Sequence, residues 1–219
     1  MKPIAIWHHT CISAPTVDFD HGLSVYQEQL DTLSKCGLLE AASELYIGVS
    51  GGEANVCAVG ALAPTKAIVF ENALDTCGEL PTQLALQQWL PGHEDWAVLY
   101  FHTKGVQYKG NAHYRAWRLC MEQVVLWNWK ACVKDLEDGF DCTGPHWLEP
   151  RLYPGLMDFP YFGGTFWWAT GSYLMTLPPV SAYGPSRHEA ESWIGKSPRR
   201  IRAMNRANHW PGGNCMAYV

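Results

Sequence analysis

Short apolar runs recur along the first half of the chain, and each breaks into polar residues. Residues 3–7 run into His8, His9 and Thr10, residues 45–49 into Ser50-Gly51-Gly52, and residues 67–70 into Glu71 and Asn72. Residues 97–101 run into His102-Thr103-Lys104-Gly105. Apolar, β-branched and aromatic runs bounded in this way predict buried strands. Between them the period changes. Leu23, Tyr26, Leu30, Leu33 and Leu38 recur on one face and predict an amphipathic helix over 23–42, after a loop at 18–21. Helices are also predicted over 80–90 and 114–136, and a short strand over 140–143. Residues 54–63, with their β-branched valines, read as a poor helix. The order of strands and helices predicts an α/β fold with a mostly parallel central sheet flanked by helices.

Past Gly144 the chain is rich in Gly, Pro and aromatic residues, and only 186–194 has a clear period. An irregular C-terminal half is expected. No internal repeat, low-complexity tract or linker interrupts the 219 residues, so one domain is expected over 1–219, with halves 1–143 and 144–219. A hydrophobic content of 47% against 17% charged residues supplies a core and excludes global disorder. Eleven tryptophans are available for that core, or for stacking on sugars and bases.

A net charge of −5 excludes the whole surface as a nonspecific holder of nucleic acid. Charge is uneven, however. Residues 196–206 hold five cations and no carboxylate, which suits a diphosphate, a polyanionic acceptor such as DNA, or a solvated face. Eight cysteines include no C-x-x-C pair, which excludes a zinc ribbon or a thioredoxin-type site. The first residues reach His8-His9 too soon for a signal-peptide core, and no apolar run approaches the roughly 20 residues of a membrane span. A cytoplasmic protein with reduced thiols is expected.

Three constellations carry candidate chemistry. In a parallel sheet, His8-His9, Ser50-Gly51-Gly52, Glu71-Asn72 and His102-Thr103-Lys104 lie along one edge. Ligands of open α/β sheets bind past such carboxyl ends, and Lys104 suits a phosphate there. The row can hold a base, a ribose and phosphates; ordinary strand-to-loop exits are the alternative. Second, Tyr161-Phe162-Gly163-Gly164-Thr165-Phe166-Trp167-Trp168-Ala169 pairs glycines with aromatics. It reads as a turn presenting flat faces to a sugar, or as a Gly-bent core strand. Third, in Arg187-His188-Glu189-Ala190-Glu191-Ser192-Trp193, the carboxylates two apart do not share a helix face. A carboxylate beside Trp193 would have a raised pKa, as a general base needs. A surface helix with ordinary carboxylates is the alternative.

These residues resemble a bacterial and phage family of glycosyltransferases with a GT-A-type fold. The resemblance rests on His102-Thr103-Lys104-Gly105, Trp117-Arg118-Leu119-Cys120-Met121, Gly139-Phe140-Asp141, the block 162–169, and 187–195 in the form R-x-E-A-E-x-W-I-G. Together they span roughly 96–195, in order. The family places Asn where Thr165 stands, which puts in doubt an acceptor contact by that amide. GT-A enzymes in general carry D-x-D at the equivalent strand end and hold a divalent ion, Mn2+ or Mg2+, on the donor diphosphate. Here the triplet is His102-Thr103-Lys104, and the resemblance implies that Lys104 supplies the positive charge itself.

The resemblance further implies an inverting transfer, with Glu191 as base and Glu189 as second choice. It makes 1–143 the nucleotide-sugar half, with donor contacts from His8, Ser50, Asn72, His102, Thr103, Lys104 and Arg118. Acceptor contacts are expected from Gly163, Gly164, Phe166, Trp167, Trp168 and Arg187 in the half 144–219, and His209 as a remnant metal ligand. The implied acceptor is a surface polysaccharide or lipopolysaccharide, or a hydroxylated DNA base if the chain is phage-derived. Two rivals stand beside this. One is a carbohydrate- or nucleotide-binding module without turnover. The other is a serine hydrolase, because Gly48-Val49-Ser50-Gly51-Gly52 fits the G-x-S-x-G nucleophile elbow.

Overall fold

The four apolar runs of the N-terminal half lie side by side as parallel strands. A computed structural model describes residues 1–72, 78–150, 159–180, 187–197 and 199–204, with 187–189 described by backbone alone. The chain begins β1 (Ile4–Cys11), α1 (Phe19–Lys35), α2 (Leu38–Ala41), β2 (Glu44–Ser50), α3 (Glu53–Leu62) and β3 (Ala67–Asn72). It continues through α4 (Leu80–Trp89), β4 (Ala97–His102), α5 (Ala112–Glu122), a π-helical turn (Gln123–Trp127) and α6 (Trp129–Glu137). Then come β5 (Cys142–Gly144), β6 (Trp147–Leu148), β7 (Tyr161–Phe162), β8 (Trp167–Thr170) and α7 (Gly171–Leu174). Last are α8 (Arg187–Ser192), a 3-10 turn (Trp193–Gly195) and β9 (Ile201–Ala203).

One seven-stranded sheet has the order β3-β2-β1-β4-β8-β5-β9. It is mostly parallel, with β8 alone antiparallel to its neighbours β4 and β5. β6 and β7 form a separate hairpin-like pair. The boundary expected at residue 143 falls inside β5, and β8 from the C-terminal half lies between β4 and β5. Leu33, Leu45, Leu99, Val125 and Trp168 belong to the core on one face, with α1, α3, α5 and α6. Trp7, Leu86, Tyr100, Trp167 and Trp193 fill the other, with α4 and α7.

Several predicted elements have different ends, for local reasons. The helix predicted over 23–42 starts earlier, because the Asp18 side chain accepts from the His21 backbone N–H and caps α1. Residues 18–21 are therefore a cap and first turn rather than a loop. Gly37, at φ 74°, takes the left-handed conformation that stops that helix before α2. Residues 53–62 form a real helix despite their valines, with Asn55 Nδ2 donating to the Ser50 carbonyl at 2.9 Å. The helix predicted over 114–136 is interrupted by the π turn. There the Trp168 indole donates to the Val125 carbonyl at 2.9 Å and the Cys132 thiol to the Val124 carbonyl. Side chains thus satisfy carbonyls that the widened turn leaves exposed.

Candidate functional site

Register puts the strand ends in a row. Cys11 pairs with Ser50, Ser50 with Asn72, and His9 with His102. The predicted edge therefore exists, at the carboxyl ends of β3, β2, β1 and β4. Strand order reverses between β1, whose chain leads to β2, and β4, whose chain leads away from it. Such a reversal opens a crevice for ligands.

Most polar residues of the row are nonetheless engaged inside the protein. His8 is fully buried, stacked 4.2 Å from Phe101, with Nε2 2.9 Å from Gln29 Oε1. Burial pushes its pKa down to about 3, so the ring is a neutral core group and not the donor contact expected of it. β1 runs on through His8 because these polar side chains find partners within the fold. Thr103 is 2% exposed, and its hydroxyl accepts from the Cys11 backbone N–H at 3.0 Å, tying β4 to β1. It too is turned away from a ligand. Asn72 donates to the Gly78 carbonyl and the Thr82 hydroxyl, and that hydroxyl lies 3.0 Å from His9 Nδ1. Ser50 is buried, and its hydroxyl has no hydrogen-bond partner among the described residues. Its strand–Ser–helix context resembles a nucleophile elbow more than the sequence implied, but among the described residues no imidazole is bonded to activate it.

The glycine–aromatic block is core, not a platform. Phe166, Trp167 and Trp168 are fully buried, and Trp167 stacks 5.1 Å from Tyr100. Their rings fill both faces of the sheet around β8, so they cannot present flat faces to a sugar. A Cβ at Gly163 would press on Leu148, and one at Gly164 (φ +91°) would sit 2.6 Å from Met121 Sδ. Thr165 has φ 58°, a conformation costly for a β-branched residue and well tolerated by Asn. The Asn expected there thus has a backbone reason that needs no acceptor contact.

Sequence reading missed Glu79. It precedes α4 in a stretch without period and is 8% exposed. Its Oε1 lies 3.8 Å from His102 Nδ1, too far for a direct hydrogen bond. His102 Nε2 donates to the Gly164 carbonyl at 2.9 Å, so Nδ1 of the neutral ring offers a lone pair toward Glu79. A protonated Glu79 matches that lone pair, whereas a carboxylate would oppose it. Burial and then the nearby Glu191 charge push Glu79 up from 4.5 to about 8, against the pull of Lys104. Burial, helped by the Lys104 charge, lowers His102 well below its usual value. The Tyr100 and Thr165 hydroxyls gather at Glu79 and pull its pKa down, but less than burial and Glu191 push it up. The signal for Glu79 was a lone carboxylate just before a helix-starting Pro81.

Glu191 and Lys104 both lie within electrostatic reach of Glu79. Gln83 donates to the Ala190 carbonyl at 3.0 Å and so anchors α8, which carries Glu191, to α4. The Lys104 ammonium sits 4.2 Å from the centre of the Trp117 ring, at the start of a cavity of about 330 Å³ between α1 and α5. Arg118 lines that cavity but is 2% exposed, paired with Glu28 at 2.6 Å and Glu122 at 3.1 Å. It is a structural ion-pair centre first.

The side chains of Arg187 and Glu189 lie outside the described residues, as does His209. Among the described residues no three His, Cys, Asp or Glu side chains gather as a metal site. Of the basic segment, residues 198, 205 and 206 are not described. Arg200 and Arg202 lie over the Phe140 ring, Arg199 over Trp147 and Lys196 over Phe159. No described helix is long and apolar enough to cross a membrane.

No family model matches the chain, and no curated protein matches its sequence. Solved structures do share its shape. A 4-diphosphocytidyl-2C-methyl-D-erythritol synthase is 12% identical with a TM-score of 0.50, over 92% of this chain and 88% of that one. A candidate nucleotide-diphospho-sugar transferase from Desulfovibrio desulfuricans G20 is 12% identical with a TM-score of 0.46, over 89% of this chain and 73% of that one. A mycobacterial protein is 14% identical with a TM-score of 0.46; 85% of this chain spans 57% of its length. The synthase likeness establishes a shared mixed α/β fold with a mostly parallel central sheet.

Proposed function

We propose that the chain is a glycosyltransferase that moves a sugar from a nucleotide-sugar donor to an acceptor hydroxyl. The observation that carries this reading is Lys104 just past β4 at the strand-order reversal, with Glu191 on the anchored α8 within electrostatic reach of the same carboxyl, Glu79. One is a cation suited to a diphosphate, the other a carboxylate suited to a hydroxyl proton. Glu191 takes that proton while the acceptor oxygen attacks the anomeric carbon. The bond from that carbon to the diphosphate oxygen breaks, and the electron pair leaves with the nucleoside diphosphate. One displacement inverts the anomeric centre. Lys104 offsets the charge that grows on the leaving group.

His209 is the candidate ligand if a divalent ion, Mn2+ or Mg2+, assists the diphosphate. The acceptor is a surface polysaccharide or lipopolysaccharide, with a hydroxylated DNA base as second choice. Supporting the donor half is the fold shared with a diphosphocytidyl-methylerythritol synthase.

The test is release of nucleoside diphosphate from a panel of UDP-, GDP- and dTDP-sugars, with manganese or with chelator. Glu191→Gln should lower turnover by about 10²–10⁴, and Lys104→Ala by about 10²–10³. Full activity in either variant sinks that residue's role. If no nucleotide sugar is turned over and no nucleoside diphosphate raises thermal stability, the transferase reading fails. Glycan binding without any nucleotide effect would then favour a binding module.

A further inference from the structure

We infer that the cavity between α1 and α5 seats the donor's diphosphate and base, with Arg115 as a second phosphate contact and Tyr108 as the face on which the base stacks. The inference rests on the transferase reading and gives its donor a place.

Position is the first argument. The cavity opens just past the carboxyl end of β4, at Lys104 and Gly105, and is closed opposite by the first turns of α1, which leaves β1. It therefore lies at the strand-order reversal between β1 and β4, where open α/β sheets bind ligands. Size is the second. A volume of about 330 Å³ falls at the lower end for small-ligand sites. It suits a nucleotide and is too small for a polysaccharide.

Charge is the third argument. Lys104, Arg115 and Arg118 line the cavity against a single carboxylate, Glu28. Glu28 already bridges Arg118 at 2.6 Å and Arg115 at 3.6 Å. Burial alone would raise its pKa, but the Arg118 and Arg115 contacts outweigh that and hold it below the usual range, so it stays ionised. With Glu122 also paired to Arg118, three cations stand against two carboxylates, and a surplus of one positive charge remains. Arg115 has a side chain 60% exposed and one long contact, so most of its donors can turn to a ligand. Gly110, Asn111 and Ala112 also line the cavity, which puts the positive end of the eleven-residue α5 at its wall.

An aromatic face is the fourth. The Tyr108 ring, 41% exposed, is stacked 3.7 Å from Tyr114 and lines the cavity. Its partner holds it in place, so stacking a base on it costs little further order.

The experiment is calorimetric binding of nucleoside diphosphates, and of inorganic pyrophosphate, to the full chain. Pyrophosphate and the preferred nucleoside diphosphate should compete for one site. Arg115→Gln should weaken both by about tenfold. Tyr108→Ala should weaken the nucleoside diphosphate by about tenfold and leave pyrophosphate unchanged. Lys130→Gln, exposed on α6 and outside the cavity lining, should change neither. All three positions are exposed enough to keep the fold, which melting temperatures verify. If nucleoside diphosphates bind and Lys104→Ala removes binding, but Arg115→Gln and Tyr108→Ala do not weaken it, this placement is overturned while the donor reading stands. If no diphosphate binds the wild-type chain, both fall.

Discussion

Replacing Glu79 by Gln should make the protein more stable, by an amount that grows with pH. Glu79 has a pKa pushed up to about 8 in the folded chain, against an ordinary value of 4.5. Its folded form therefore binds the proton more tightly than the unfolded chain does. The group's favourable contribution is complete below pH 4.5, and is lost as pH rises through the window from 4.5 to about 8. At one pKa unit per 1.36 kcal/mol, the loss is ~1 kcal/mol at pH 5 and ~4 kcal/mol at pH 8. Gln has nearly the same shape, stays neutral, and can turn an N–H rather than a negative charge toward the His102 Nδ1 lone pair. The variant should thus match the wild type near pH 4.5 and exceed it by ~4 kcal/mol at pH 8. Urea unfolding at a series of pH values measures this. With a slope of ~2–3 kcal/mol per molar urea, the midpoints should diverge by more than ~1 M at pH 8. All other titrating groups are common to both proteins and cancel in the difference. A pH-independent difference, or a variant less stable at pH 8, would refute the placement of Glu79 as a buried neutral acid.

Three further outcomes follow from local geometry. Thr165→Asn relieves a left-handed backbone at a β-branched residue and should raise unfolding free energy by about 1 kcal/mol, read by urea midpoint. Gly195→Ala would drive a methyl into the Pro160 backbone carbonyl, which cannot give way. It should cost about 3 kcal/mol or more and appear as loss of soluble protein or a steep fall in melting temperature. Trp168→Phe keeps a ring but strips the donor from the buried Val125 carbonyl in the π turn. A cost of about 1–3 kcal/mol is expected, and none would mean that water replaces the indole.

The strands of the N-terminal half were legible because β structure there is a local pattern: an apolar run, then a polar break. The row of strand ends was legible too, since parallel strands put their carboxyl ends on one edge. What the pattern did not carry was the direction in which each polar side chain turns. His8 and His9 are adjacent, so the pleat sends one to Gln29 on α1 and the other to Thr82 on α4. The Trp167-Trp168 pair was ambiguous for a related reason. Consecutive aromatics on a strand fill both faces, and only what packs on each face decides whether it is open; here the π turn lies on Trp168 and Trp193 on Trp167. Glu79 was invisible because a lone carboxylate has no period, and its chemistry comes from burial by distant segments. The true start and end of α1 were recoverable, since Asp18 as a cap and Gly37 as a stop are local signals.

Burial also decides which charges survive along the edge, and this yields a last prediction. His8 and His102 are pushed down and Glu79 up, so near neutral pH all three are uncharged. Among the described residues, the groups that face Glu79 are Lys104, Glu191, His102, and the Tyr100 and Thr165 hydroxyls. With Glu79 protonated, it adds no negative charge against Lys104. Above about pH 8 Glu79 ionises, opposes Lys104, and adds repulsion for any anion beside it. Nucleoside-diphosphate affinity should therefore weaken as pH rises from 7 to 9 in the wild type, by roughly tenfold for an interaction of ~1.4 kcal/mol. In Glu79→Gln that added weakening should vanish, leaving only the shallower dependence of the ligand and remaining groups. A parallel fall in both proteins would show that Glu79 does not sense the donor, and would separate its role in stability from any role at the site.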